Sequence, residues 1–335
     1  MNKPSPADTK LVVYASHRFT LWRPPVELAE SIRRRWPQLR VLHLTRDDQL
    51  ALEIPDADIF AGIQLPPERL RLAKRLKWVH STAAGVAQLM YPELRSSGII
   101  VTNASGVHAI SMAEHVVGMM VALARDFPGA MRHQLRRQWA QQEIWDGPAR
   151  PRELAGSVVL LVGFGAVGRA IAGRLRPFGM TVWAVTRSGN ADPALATRVF
   201  PAAQLDSALP GADFVVLAAP QTPETHHLIG ERQLALMKPA AFLINVARGS
   251  LVDESALIAA LQRRAIAGAG LDVTAEEPLP SSSPLWSLEN VLVTPHTSGA
   301  SERLWEREGE LLLDNLQRWF SGQPLRNQVD LAKGY

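Results

Sequence analysis

A glycine-rich hexapeptide, Gly163-Phe164-Gly165-Ala166-Val167-Gly168, lies mid-chain and limits the fold more than any other feature. An apolar run, Ser157 to Val162, precedes it. A stretch with helical spacing, Ala170 to Arg176, follows, and then a second apolar run, Thr181 to Val185. Strand, turn, helix and strand is the context in which a G-x-G-x-x-G turn cradles a dinucleotide pyrophosphate. The first glycine permits the tight turn, and the second lets the backbone approach the anion. The third lets helix and strand pack closely, with the helix N-terminus facing the anion. The same six residues without such flanks would read as an ordinary strand–helix turn. Because the turn starts only at Gly163, the long stretch before it must form something else.

At 335 residues the chain is long for a single core, so two domains are expected. Short apolar runs at Leu11–Tyr14, Val41–Leu44, Asp58–Ala61, Trp78–His80 and Ile99–Val101 read as buried strands. Helical patterns such as Val26 to Arg35 and Glu68 to Arg75 lie between them. That alternation predicts a small α/β domain with a parallel sheet, flavodoxin-like in pattern. A long apolar helix, Ile110 to Ala124, follows the polar turn Asn103–Gly106, and Pro128 is read as marking its end. A polar, Trp-bearing segment runs from Met131 to Trp145, closed by Pro148 and Pro151. Beyond the glycine turn, strands are expected at Phe214–Leu217, Ala241–Ile244, Ala267–Val273 and Val291–Val293. An amphipathic helix, Glu302 to Phe320, ends at Gly322 and Pro324.

Composition narrows the function classes. With 47% hydrophobic and 20% charged residues the chain reads as an ordinary globular protein. No 18-residue apolar stretch exists, so no membrane span or membrane partner is expected. The opening Met1–Pro6 lacks an apolar core, so a signal peptide is not expected either. Cysteine is absent, which removes disulfides, thiolate metal sites and a cysteine nucleophile, and fits a cytoplasmic enzyme. No metal-ligand spacing is present, so no metal is expected. The net charge is +4, with clusters at Arg33-Arg34-Arg35 and at Arg132, Arg136 and Arg137. No nucleic-acid motif accompanies them, so they read as solvated helix faces or a subunit contact, and no nucleic-acid partner is expected.

In a strict NAD site an acidic residue ends the second strand and binds the ribose 2′-hydroxyl. Here the strand ends Val185-Thr186-Arg187-Ser188. Thr186 holds the acidic position, and Arg187 can pair with a 2′-phosphate. The pattern reads as NADP-preferring (NADPH), with NAD as the alternative if Arg187 points to solvent. Three later segments carry chemistry. Arg248 follows a buried strand in Asn245–Asp253, Glu276-Glu277-Pro278 follows Leu271-Asp272-Val273, and His296 follows the last strand in Thr294-Pro295-His296. Open α/β sheets bind ligands beyond the carboxyl ends of their strands, so these groups suggest one site.

With those motifs in this order, the chain resembles the D-isomer-specific 2-hydroxyacid dehydrogenase family over nearly its whole length. The resemblance rests on the Gly163 turn, Pro220-Gln221-Thr222-Pro223-Glu224-Thr225, the Arg248 segment, Glu277-Pro278 and Pro295-His296. It is nearest the glyoxylate/hydroxypyruvate reductase branch and NADP-using 2-ketoacid reductases. The resemblance implies two Rossmann-like or flavodoxin-like domains with parallel sheets and an active site in the interdomain cleft. The substrate domain would be discontinuous, 1–105 with 298–335, and the dinucleotide domain would be 106–297. Chain crossings near Gly106 and Pro295 would form the hinge.

The family's catalytic Arg, Glu and His map onto Arg248, Glu277 and His296. Glu277 is chosen over Glu276 because it directly precedes Pro278 and lies 19 residues before the His. Implied cofactor contacts are Gly163, Phe164, Gly165, Ala166, Val167, Gly168, Thr186, Arg187, Ser188, Pro220, Thr225, Val246, Ala247 and Asp272. Implied substrate contacts are Arg248, His296 and the backbone of Ala84, Gly85 and Val86, where the family has Gly in place of Ala83. The activity implied is reduction of a small 2-oxo acid, with His296 as the general acid. A homodimer built through the Met131–Trp145 region is also implied. A cofactor-sensing, non-enzymatic corepressor of the same fold is the alternative. His43, His80, His108, His115, His133, His226 and His227 have no matching role and read as structural.

Overall fold

A computed structural model describes residues 3–148 and 150–334. The chain divides into two compact units, Met1–His108 with Ala300–Tyr335, and Ala109–Gly299.

The first unit is built on five parallel strands: β1 (Lys10–Tyr14), β2 (Arg40–Leu44), β3 (Ile59–Gly62), β4 (Trp78–Ser81) and β5 (Ile100–Asn103). Their order is β2-β1-β3-β4-β5, a flavodoxin-like arrangement. The strands read as continuous apolar runs because helices cover both faces of a parallel sheet. Every residue of β1, β3 and β4 is accordingly buried. The amphipathic helix Leu304–Ser321 belongs to this unit. Its Leu312 and Leu316 join Leu11, Val13, Leu28, Ile32 and Ile59 in one core. Glu308 lies on the same buried stripe, where a carboxylate must be paired. Its partner is His80 Nε2 on β4, at 2.7 Å, and His80 Nδ1 contacts Thr102 Oγ1 at 2.8 Å.

The second unit carries seven parallel strands: β6 (Val158–Val162), β7 (Thr181–Thr186), β8 (Arg198–Pro201), β9 (Phe214–Leu217), β10 (Phe242–Asn245), β11 (Gly268–Leu271) and β12 (Val291–Val293). Their order, β12-β11-β10-β9-β6-β7-β8, reverses direction between β6 and β9. Both faces are buried. Leu160 and Val162 of β6 enter one core, and Val159 and Leu161 enter another with Met119, Met120 and Ile171.

The expected strands form close to their predicted limits, and β8 is an addition. Its four residues, Arg-Val-Phe-Pro, make a short edge strand with little pattern to detect. Pro128 has a different role from the one expected. The apolar helix Ala109–Ala124 ends before it, and Pro128 sits in the first turn of a new helix, Phe127–Leu135. There its missing N–H costs no helical bond. Asp126, at φ 50°, caps that helix by accepting from Gly129 N at 3.1 Å. No helix among the described residues is long and apolar enough to cross a membrane.

Candidate active site

The glycine turn follows β6 at the point where the strand order reverses, the usual ligand crevice of an open α/β sheet. Gly163 has φ +99°, and a Cβ there would stand 2.6 Å from the backbone of Ala218 and Ala219, which follow β9. Only glycine lets these two loops meet. Gly165 caps the helix Ala166–Leu175, and a Cβ on it would meet no protein atom within 4 Å. Its bareness therefore serves no internal packing, which fits an approaching pyrophosphate. Phe164 is buried in the core shared with Met119, Met120 and Ile171, with Val167 packed against the same cluster.

Thr186 ends β7, and its hydroxyl donates to Asn190 O at 3.2 Å. Ser188 accepts from Asn190 N, so Thr186 and Ser188 both brace this turn. Arg187 acts electrostatically on Glu224, a residue of the loop after β9. The Glu224 carboxyl sits below its ordinary value, first through the Thr222 side chain and in smaller part through Arg187. A carboxylate on the loop after β9 thus feels the Arg187 charge, a link that the sequence reading did not make. Thr225 Oγ1 donates to Pro220 O at 2.8 Å and accepts from Thr222 N at 2.8 Å, holding that loop closed.

The three catalytic candidates follow three neighbouring strands. After β10, Asn245 braces the turn. Its Nδ2 donates to Arg248 O at 2.9 Å, and its Oδ1 accepts from Ala247 N at 3.0 Å. Val246 and Ala247 are buried beneath the turn. Arg248 Nη1 donates to Ala247 O at 2.6 Å. Burial lowers the Arg248 pKa from its ordinary value, and Glu277 opposes that effect. A Cβ on Gly249 would lie 1.9 Å from Thr274 O, so this glycine lets the Arg248 and Glu277 segments touch. Glu254, which the sequence reading passed over, accepts from Ala275 N at 2.9 Å and steadies the Glu277 segment.

Glu277 Oε2 lies 2.7 Å from His296 Nδ1, and Glu277 Oε1 accepts from Thr274 N at 3.3 Å. Desolvation pushes the Glu277 pKa up. The His296 bond and charge, the Thr274 amide and Arg248 outweigh it, so the net shift is down. Glu277 is therefore an ionised acceptor, and the His296 ring presents Nδ1 to it as a donor. That leaves Nε2 to face a substrate. Glu276 is bound differently, with its carbonyl accepting from Thr274 Oγ1 at 2.7 Å.

Asp272, expected to touch the cofactor, has a side chain with no exposed surface. It accepts from Thr294 Oγ1 at 2.6 Å, Thr297 N at 2.9 Å and Ser298 N at 2.9 Å. His115 Nε2 contacts the same Thr294 hydroxyl at 2.9 Å. Nothing in the sequence pattern points to His115 except its place as a polar residue inside an apolar helix. Ala84, Gly85 and Val86 lie in the first unit, in the loop after β4. Asn103 Nδ2 donates to Ala84 O at 2.8 Å, and Ala83 O accepts from Ala104 N at 3.2 Å.

Comparison with known proteins gives concordant results. The family model described as "D-isomer specific 2-hydroxyacid dehydrogenase, NAD binding domain" matches residues 117–298. The glyoxylate reductase of Pyrococcus furiosus is 36% identical over 283 residues, covering 82% of this chain and 83% of that protein. The D-3-phosphoglycerate dehydrogenase of Methanocaldococcus jannaschii is 32% identical over 291 residues. That match covers 86% of this chain but only 54% of the relative, so the chain spans about half its length. A D-isomer specific 2-hydroxyacid dehydrogenase from Xanthobacter autotrophicus Py2, solved in complex with NADPH and MES, is 31% identical with a TM-score of 0.84. It covers 98% of this chain and 100% of that one.

Proposed function

The chain belongs to the D-isomer specific 2-hydroxyacid dehydrogenase family and is an NAD(P)-dependent oxidoreductase, and we propose that it reduces a small 2-oxo acid of the glyoxylate or hydroxypyruvate type to the D-2-hydroxy acid, with NADPH preferred. The observation that carries this reading is the His296–Glu277 pair at 2.7 Å, beside Arg248 at the end of β10.

A bound nicotinamide would supply the hydride to C2. The Gly163–Gly168 turn, the loops at Pro220–Thr225 and Val246–Ala247, and the corner at Thr186, Arg187 and Ser188 would hold that cofactor. His296, protonated and oriented by Glu277, delivers its Nε2 proton to the carbonyl oxygen as negative charge develops there. The pair is left neutral at the imidazole and charged at the carboxylate. Arg248 polarises the carbonyl and grips the substrate carboxylate with its planar fork. From the family resemblance, the N–H groups of Ala84, Gly85 and Val86 are proposed as further carboxylate donors.

NADPH preference is supported by the absence of a carboxylate from Thr186-Arg187-Ser188 and by the guanidinium offered there. A homodimer is proposed from exposed apolar side chains on the segment after the apolar helix. Leu135 and Trp139 are 84% and 92% exposed, and Phe127 and Met131 are half exposed or more. A stripe of this kind suits a second copy of the chain.

The decisive experiment is a panel of 2-oxo acids assayed with NADPH and with NADH. Consumption of NADPH with glyoxylate or hydroxypyruvate, at a higher kcat/KM than NADH, is expected. No turnover with any 2-oxo acid would overturn the reductase reading, and equal use of both cofactors would overturn the NADPH assignment.

A further inference from the structure

We propose that His115, Thr294 and Asp272 form a hydrogen-bond relay, half-buried at His115 and Thr294 and enclosed at Asp272, that holds the His296 turn in its working orientation, a role that rests on the reading of His296 as the acid. The three residues come from separate elements: His115 from the helix Ala109–Ala124, Asp272 from the end of β11, and Thr294 from the end of β12.

The direction of the relay follows from donor and acceptor counting. The Asp272 side chain is fully enclosed, yet its pKa is held below the ordinary value. Burial pushes it up, and the Ser298 and Thr294 side chains with the Ser298 and Thr297 amides more than reverse this. An ionised carboxylate only accepts. Thr294 must therefore spend its one hydroxyl proton on Asp272 Oδ1, at 2.6 Å. The Thr294 hydroxyl oxygen then accepts from His115, which presents Nε2–H at 2.9 Å. The direct distance from His115 Nε2 to Asp272 Oδ1 is 3.7 Å, too long for a hydrogen bond, so the hydroxyl is the necessary link.

At the other end, Asp272 governs three consecutive residues. Its backbone carbonyl accepts from His296 N at 2.9 Å. Its carboxylate accepts from Thr297 N and from Ser298 N, both at 2.9 Å. His296 has φ +53°, a left-handed conformation that non-glycine residues hold only when their surroundings enforce it. With the Ser298 side chain counted, the carboxylate is satisfied from within the chain. Its enclosure and its bonds to this turn make it an anchor for the His296 turn.

Two pairs of variants test this. Thr294→Val keeps the shape and removes the hydroxyl, whereas Thr294→Ser keeps the hydroxyl. His115→Leu removes the donor, whereas His115→Gln keeps an N–H near Nε2. The readouts are kcat for 2-oxo acid reduction, the NADPH dissociation constant by fluorescence titration, and the downfield proton resonance of the His296 Nδ1–H bonded to Glu277. Thr294→Val and His115→Leu are expected to lower kcat about 10- to 100-fold, as a displaced reacting group does. NADPH affinity should hold, and the His296 resonance should broaden or vanish. The Ser and Gln variants should restore both kcat and resonance. The proposal is overturned if NADPH affinity falls in step with kcat, which would mean that the relay supports the cofactor site and not the His296 turn. It is also overturned if Thr294→Val leaves the resonance unchanged. Should the wild type reduce no 2-oxo acid, the functional reading fails, while the resonance still decides the relay.

Discussion

The chemistry proposed for this protein comes down to one imidazole held at Nδ1 by Glu277. Glu277 claims Nδ1 of His296, so only Nε2 can serve a substrate. His296→Ala should lower kcat by about 10²- to 10⁴-fold with NADPH affinity retained, and near wild-type turnover would remove His296 from the mechanism. Glu277→Gln replaces the charged acceptor of the Nδ1 proton with a neutral one, and should lower kcat with NADPH affinity retained. The wild-type pair has an acid limit. The Glu277 pKa is lowered on folding, so the pairing is fully present above the ordinary value of 4.5 and is lost as pH falls through the lowered value. Arg248→Lys keeps the charge and loses the fork. Weaker substrate binding and slower chemistry should appear together in steady-state kinetics, and unchanged kinetics would rule out bidentate recognition.

At the scale of elements, the second unit works because loops from neighbouring strands are allowed to touch. Gly163 and Gly249 are two of the points where a single Cβ would drive backbones apart. Gly163→Ala adds both a left-handed φ penalty and a clash with Ala218. A stability loss of about 3 kcal/mol in denaturant unfolding is expected, with NADPH binding weakened beyond what the loss of folded protein explains. In the first unit the C-terminal helix is tied to the sheet by the enclosed Glu308–His80 contact. Glu308→Ala leaves a buried ring nitrogen without its partner and should cost about 3 kcal/mol, read from the denaturation midpoint. An unchanged midpoint would mean that the apolar stripe of Leu312 and Leu316 holds the helix unaided.

For the whole molecule, the segment Phe127–Leu135 and the residues after it expose Leu135 and Trp139 almost completely. Light scattering at micromolar concentration should give twice the 36.7 kDa chain mass. Replacing Leu135 with Ser and Trp139 with Ala should yield monomers. A wild-type monomer under those conditions contradicts the dimer.

Much of this was legible in order and spacing. Continuous apolar runs marked the strands of both sheets because parallel strands are buried on both faces. The glycine hexapeptide marked the strand-order reversal because only those backbone angles make the turn. Arg248 and His296 were expected just after their strands and Glu277 in the segment beyond β11, and choosing Glu277 over Glu276 drew on the family's spacing, the proline beside it and the 19 residues to His296. The four-residue edge strand β8 was too short to carry a pattern, and Pro128 was misread because a proline signals a helix boundary without saying which side of it is helical. The Glu224–Arg187 interaction and the His115–Thr294–Asp272 relay were invisible for another reason. Each joins residues far apart in sequence, and a hydrogen bond or an electrostatic contact leaves no periodicity behind. The linear chain determines which faces are apolar and where the backbone can bend. Only the folded packing decides which polar groups are shut away from water, and so which partners they must find.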